Sequence, residues 1–378
     1  SADWAEHCRA VAGGLDVPFE SIRVSVDLYS GDGPEAAART ARYQGLAERM
    51  DEGDWLLSAH HLDDQGETLL MNLLRGSGPA GIAAIGVVRP FERGWLARPL
   101  LDVSRNELHD YATQNELSWL DDPSNSDLRF DRNYLRHDVL PRLDDRWHDV
   151  NRRLMRSARL AREANELLTE LARTDADSVL ERRDRLSIAA LSVLSPPRQR
   201  NLVRYAIAEL GLPMPSAAQL DRIWSDVIAA RPDAQPVLSW PGTLVRRYRN
   251  ALYILPDSLP QPVRGAKISL ERVDLGRGLG ALEFEPADGP GLAPRCFRAG
   301  LRIEPRLGGE TIKLEKQGPT KKLKKLLQES GVVPWMRDRI PLLYCEDDLV
   351  AVGDLWTSAA ARADDGIRIR WVDRPALH

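Results

Sequence analysis

Trp55-Leu56-Leu57-Ser58-Ala59, followed at once by His60-His61-Leu62-Asp63-Asp64-Gln65-Gly66-Glu67-Thr68, is the stretch whose reading decides the fold. The first five residues form a short apolar run, read as a buried strand. The next nine lead into a helix over roughly 64–75 that Gly76 ends. A strand end feeding a helix N-terminus is where an open α/β sheet places its ligands. Working outward, residues 2–12 read as a helix and Ile22–Val26 (IRVSV) as a short strand. Glu35–Met50 reads as an amphipathic helix with Pro34 in its first turn, and Arg105–Asn115 as another helix. This alternation predicts an α/β domain built on a parallel sheet.

The chain has 378 residues, which at ~150 per domain predicts two or three domains. Beyond the α/β part, expected over 1–145, a long helix runs from Trp147 to about Arg173, carrying Arg152, Arg156 and Arg159 on one face. A second helical stretch covers about 196–230, and Pro236–Leu255 reads as a hairpin turning at Gly242-Thr243, so a mostly helical domain is expected over 146–255. Pro and Gly enrichment makes 256–294 a linker with irregular strands. Short strands at Leu342–Tyr344, Leu349–Val352 and Ile367–Trp371, with a basic helix near Lys321–Ser330, predict a small α+β domain over 295–378.

Composition excludes several classes. Cys8, Cys296 and Cys345 are widely separated, so a disulfide framework, a CxxC pair and a cysteine-rich zinc site are not available. No apolar run approaches the ~20 residues that span a bilayer, and the N-terminal residues do not read as a signal peptide. A mean hydropathy of −0.37 fits a soluble chain, and a cytoplasmic setting is expected. The net charge of −4 hides a gradient: residues 1–130 carry 11 basic and 22 acidic groups, whereas residues 295–378 carry 16 and 12. Only 7 of the 52 basic residues are lysine, and four of them lie within Lys321–Lys325. An acidic first third and a basic remainder point to small-molecule chemistry in one part and a polyanion in the other.

Asp64 and Glu67 lie three apart on a first helical turn, so both carboxylates face one way. Such a pair can hold an ammonium group, take its proton or bind Mg²⁺; it can equally be a capping arrangement. Neighbouring His60 and His61 point in opposite directions, which argues against zinc. The Gly-rich Arg75-Gly76-Ser77-Gly78-Pro79-Ala80-Gly81 follows a helix and reads as a C-cap and turn. Arg132 and Arg136, at i and i+4 after Asp121-Asp122-Pro123, can meet phosphates or pair with nearby acids. Lys321, Lys322, Lys324 and Lys325 surround a Leu323/Leu326/Leu327 face, a local phosphate trap or a solvated helix.

Taken together, these segments resemble the tRNA(Ile)-lysidine synthetases. In family order the matching pieces are Glu35–Arg39 with Arg42-Tyr43, HHLDDQGET at 60–68, RGSGPAGI at 75–82, Arg98–Leu101, WLDDPSN at 119–125 and DRNYLRHDVLP at 131–141. A C-terminal block follows, running from Arg306-Leu307-Gly308-Gly309-Glu310 through KKLKKLLQESGVVPWMRDRIPLLY.

The resemblance implies a Rossmann-like PP-loop sheet of the adenine nucleotide alpha hydrolase type. It implies ATP-dependent activation of C2 of the wobble cytidine in a CAU-anticodon tRNA(Ile), with L-lysine then displacing AMP. ATP and Mg²⁺ are the implied cofactors. It assigns Asp64 and Glu67 to lysine and its deprotonation, and Arg132 to electrostatic stabilisation. His60, His61, Asp63 and Arg42 become substrate-binding neighbours, and Lys321, Lys322, Lys324, Lys325, Arg337, Arg152 and Arg156 become tRNA contacts. Oligomeric state stays open, with a homodimer as one arrangement.

One departure stands out. The Ser-Gly-Gly-x-Asp-Ser phosphate loop of the family is not in this chain; Ala12-Gly13-Gly14-Leu15-Asp16-Val17 lacks both serines and follows a helix. In register with the family, roughly 60 residues are expected upstream of Ser1, from the ~30-residue size of βαβ units. A non-catalytic tRNA-binding remnant is therefore the alternative. A tRNA cytidine thiolase would need paired CxxC cysteines, which are not present.

Overall fold

The computed structural model describes residues 2–27, 34–231, 234–258, 266–268, 272–276 and 278–378. The chain divides into two compact units, Ser1–Leu171 and Ala172–His378.

In the first unit, α1 (Ala2–Gly14) ends with the Leu15 and Val17 amides bonded to carbonyls of the preceding turn, and with Asp16 at φ 54°. The Gly13-Gly14 pair thus closes a helix. Residues 22–26, expected as a strand, carry no ladder among the described residues. Propensity alone does not make a strand without a partner. Then follow α2 (Pro34–Ala47), β1 (Trp55–Leu57), α3 (Leu62–Leu74), α4 (Pro79–Ile82), β2 (Val88–Phe91), β3 (Gly94–Ala97) and α5 (Arg105–Gln114).

The sheet order is β1-β3-β2, with β1 parallel to β3 and β2 antiparallel to it. Met50, Phe91 and Leu96 form its core, with Tyr43 and Leu56 packed against them. The expectation of a buried β1 needs correcting: Trp55 and Leu57 are 57% and 65% exposed, because β1 has a ladder on one side only among the described residues.

Helix α3 explains why the rest of this unit gathers where it does. Asp64 Oδ2 accepts the His61 N–H at 3.0 Å, satisfying a donor at the helix start. Gly66 admits the helix Val150–Val179: a Cβ there would stand 2.3 Å from Asn151 Oδ1. At the other end Gly76, at φ 72°, turns the chain. The Gly-rich segment is then bonded back to α3. Asn72 Nδ2 donates to the Gly81 carbonyl at 2.7 Å, and fully buried Gln65 brackets both backbone groups of Ile85. Arg75–Gly78 is a cap and turn, as its position after a helix predicts, and the remainder starts the short helix α4.

Downstream, α6 (Asp131–Tyr134) runs through a π-helical turn at Leu135–Val139 into α7 (Leu140–Arg146). The Leu140 amide bonds the Leu135 carbonyl, and Pro141, which has no N–H, follows directly. The 30-residue α8 (Val150–Val179) leads into the second unit.

There, helices Pro196–Glu209 and Ala217–Arg222 pack Leu202, Val203, Ile207 and Leu220 against a five-stranded antiparallel sheet that includes Thr243–Tyr248 and Ala251–Leu255. Further on lie two more five-stranded sheets and the helix Leu323–Glu329, around a core containing Leu301, Leu323, Leu327, Trp335 and Trp371.

The irregular strands expected within 256–294 are built into a sheet. Arg272–Asp274, Ala281–Pro286 and Gly291–Leu292 are strands, and Ala281–Pro286 pairs antiparallel with all of Ile367–Val372. Their partner lies some eighty residues away, so the local sequence did not show what they pair with. Residues 259–265, 269–271 and 277 of that stretch lie outside the described residues. Among the described residues, no helix is long and apolar enough to cross a membrane.

Candidate active site

Asp64 and Glu67 do emerge on one face of α3, and both meet arginines from the α6/π segment. Arg132 places Nε 2.6 Å from Glu67 Oε2 and Nη2 3.2 Å from Asp64 Oδ1. Arg136 places Nε 2.6 Å from Glu67 Oε1, and its Nη2 reaches Glu67 Oε2 at 3.0 Å and Asp64 Oδ1 at 3.3 Å. Glu67 is completely buried, whereas the Asp64 side chain keeps 13% exposure. Burial pushes against the Arg136 charge, but the bonds to Glu67 and the charges of Glu67 and Asp64 hold its pKa above the ordinary value.

Asp64 and Arg132 face a cavity of about 770 Å³, bounded by β1 and α2 and lined also by Arg39, Arg42, Tyr43, Ser58 and His60. Arg39 and Arg42 stand over the Tyr43 ring, 5.2 and 5.7 Å from its centroid. His60 Nδ1 lies 2.5 Å from Ser58 Oγ. Burial, helped by Arg98, Arg39 and Arg132 and opposed by Asp64, lowers the His60 pKa to about 4. The imidazole is therefore neutral near pH 7, a hydrogen-bonding group that adds no charge.

The other expected neighbours sit differently. Asp63 accepts the Arg105 amide at 2.8 Å and Asn151 Nδ2 at 3.1 Å, tying α3 to α5 and α8. Burial opposes its ionisation, yet hydrogen bonds from His61 and the Arg105 amide hold its pKa below the usual range. His61 caps α3 and lies between Asp63 and Asp64, at 3.5 and 3.6 Å. Neither Asp63, His61 nor Glu67 lines the cavity. Among the described residues, no group of three or more His, Cys, Asp or Glu side chains is arranged to hold a metal ion. Glu67 is buried outside the cavity and Asp64 is the single carboxylate in its lining, so this donor set does not fit a resident Mg²⁺.

The expected polyanion contacts also separate. Lys321 and Lys322 form a two-residue strand paired with Thr311–Ile312, and Lys324 and Lys325 start the following helix. All four are exposed, and Lys325 lies 3.7 Å from Glu329. Arg337 is partly buried and donates to the Val332 carbonyl and the Tyr248 hydroxyl. Arg152 pairs with Glu107 at 3.0 Å. Arg156 is exposed and lines a second cavity, about 480 Å³, with Arg152, Arg159 and Arg162.

Sequence reasoning left Arg136 as one half of an ambiguous i, i+4 pair and did not single out Arg39. The first carried a signal in its spacing from Arg132. The second carried none, because α2 meets β1 only in the folded chain.

A parallel β1/β3 pair, with a cavity beyond the strand end at a helix N-terminus, is the arrangement by which an open α/β domain binds its ligands. The PP-loop domain family matches residues 1–143, the TilS substrate binding domain matches 186–253 and the TilS substrate C-terminal domain matches 301–371. A tRNA(Ile)-lysidine synthase of Alkalilimnicola ehrlichii is 43% identical over 97% of this chain and 82% of its own length. One from Pectobacterium atrosepticum is 42% identical over 92% and 79%, and one from Coxiella burnetii 39% over 93% and 78%. The chain belongs to the tRNA(Ile)-lysidine synthase family, a family of ligases.

Proposed function

We propose that this chain joins L-lysine to C2 of the wobble cytidine, position 34, of a CAU-anticodon tRNA(Ile). In this reading ATP first adenylates the cytidine, the lysine amine then displaces AMP, and decoding changes from AUG to AUA. The observation that carries it is the placement of Asp64 and Arg132 together on the wall of the cavity bounded by α2 and β1.

A lysine amine is protonated near neutrality, with an ordinary pKa of about 10.4. Asp64 pairs with the ammonium, and the guanidiniums of Arg39 and Arg132 in the same wall favour its neutral, nucleophilic form. The proton passes to the carboxylate within hydrogen-bond reach. Arg132 also faces the negative charge that develops as AMP leaves. Magnesium travels with the ATP phosphates, which suits an ion that takes few protein ligands.

Residues 1–145 would carry the chemistry, 146–255 would recognise substrate, and 295–378 would hold the tRNA through Lys321, Lys322, Lys324 and Lys325. Exposed Arg152 and Arg156 would add backbone contacts. The test is lysine-dependent AMP release from ATP and a CAU-anticodon tRNA by the full-length protein. Asp64→Asn is expected to lower the rate about 100-fold or more. Tight tRNA binding without any turnover would overturn the ligase reading, and an unaffected Asp64→Asn would overturn the site.

A further inference from the structure

We propose that Arg136 is a positioning residue for the amine-transfer step, acting through Glu67; this rests on the cavity being the lysine site. Arg136 does not line the cavity, yet it makes more contacts within the charged cluster than Arg132 does. Its Nε and Nη2 form a fork on the two oxygens of Glu67, at 2.6 and 3.0 Å. Arg132 reaches the same cluster with one nitrogen on each carboxylate. Glu67 Oε2 and Asp64 Oδ1 are consequently each shared by both guanidiniums.

The stoichiometry explains why two arginines are needed. Two carboxylates against two guanidiniums leave no net charge, and Glu67, with no exposure, has to be neutralised where it stands. Because Arg136 forks Glu67, Arg132 needs to give it only Nε. That leaves Arg132 Nη2 for Asp64. Without Arg136, Glu67 Oε1 loses its donor at the buried end of the cluster. The favourable response is for Arg132 to fork Glu67 itself, since bidentate guanidinium–carboxylate pairing is the stronger geometry. It would then leave Asp64 and the cavity wall. A residue outside the cavity thus fixes one that lines it, and the π-helical turn at 135–139 is the segment that presents it.

The experiment compares Arg136→Met, Arg136→Lys, Glu67→Gln and the double variant Glu67→Gln/Arg136→Met in the complete protein. Two readouts are used: pyrophosphate release with ATP and tRNA in the absence of lysine, and lysine-dependent AMP release across lysine concentration and pH. Arg136→Met should lower kcat of the amine step about 100-fold, the size of a misplaced reacting group, with pyrophosphate release within about threefold of the parent. Arg136→Lys keeps the charge without the fork and should recover about tenfold of that loss. The double variant should be no worse than the poorer single one, because both act on one unit.

The proposal is overturned if Arg136→Met stays within about threefold in the amine step, if both steps fall equally, or if the two substitutions multiply. Should Arg136→Met fail to fold by circular dichroism, Arg136→Lys decides by the same criterion of a loss confined to the amine step. An unsubstituted protein that releases no AMP overturns the lysine reading itself, and this proposal with it.

Discussion

Two cationic regions of this protein do opposite things with positive charge. Arg132 and Arg136 are mostly buried, each bonded to both Asp64 and Glu67, and every donor counted there has a fixed direction. Lys321, Lys322, Lys324 and Lys325 stand exposed around a buried leucine face, with one weak i, i+4 pair at 3.7 Å. Guanidiniums suit the first role because their planar fork matches a carboxylate, and ammonium groups suit the second because they stay hydrated point charges. Buried charge supplies geometry; exposed charge supplies attraction that salt can screen.

That contrast can be broken most forcefully at its buried end. Glu67→Ala leaves two guanidiniums facing one carboxylate and is expected to cost about 3 kcal/mol in a urea unfolding titration. A loss below about 0.5 kcal/mol would place Glu67 among ordinary surface ion pairs. At the exposed end, changing all four lysines to Gln should leave unfolding unchanged within about 0.5 kcal/mol. The slope of log affinity for tRNA against log salt should meanwhile fall by about 3. An unaltered slope removes this segment from the tRNA surface.

A smaller effect separates His60 from both regions. Its folded pKa of about 4 lies below the 6.5 of the unfolded chain, so the native state binds fewer protons between those values. Its contribution to stability is full above pH 6.5 and is lost as pH falls toward 4. Stability measured against pH in the native protein should therefore drop more steeply over that interval than in His60→Gln. Parallel curves would mean that His60 is not held neutral.

Much of this was legible in order along the chain. The apolar run before HHLDDQGET, the Gly76 stop and the leucine face between the lysines are local patterns, and local patterns report helices and caps. The same locality misled at Ile22–Val26, whose branched residues suit a ladder they do not join among the described residues, and it did not show that the strands at 272–292 complete a sheet with Ile367–Val372. Trp335, beside the basic segment, belongs to the core, 4.9 Å from the Tyr253 ring.

By itself the sequence determined the Asp64/Glu67 carboxylate pair, its shared helix face, the basic segment and the family resemblance, because residue identity and i, i+3 spacing suffice for these. Only the tertiary structure decided which groups are free to act. It turned Asp64 and Arg132 toward the cavity, sank Glu67 beneath them, gave Asp63 and His61 to the helix start and bonded Arg337 to the Val332 carbonyl and the Tyr248 hydroxyl. Each outcome depends on segments tens of residues apart meeting in space. Burial then forces a charge to be paired, and the pairing, rather than the residue type, sets what that charge can do.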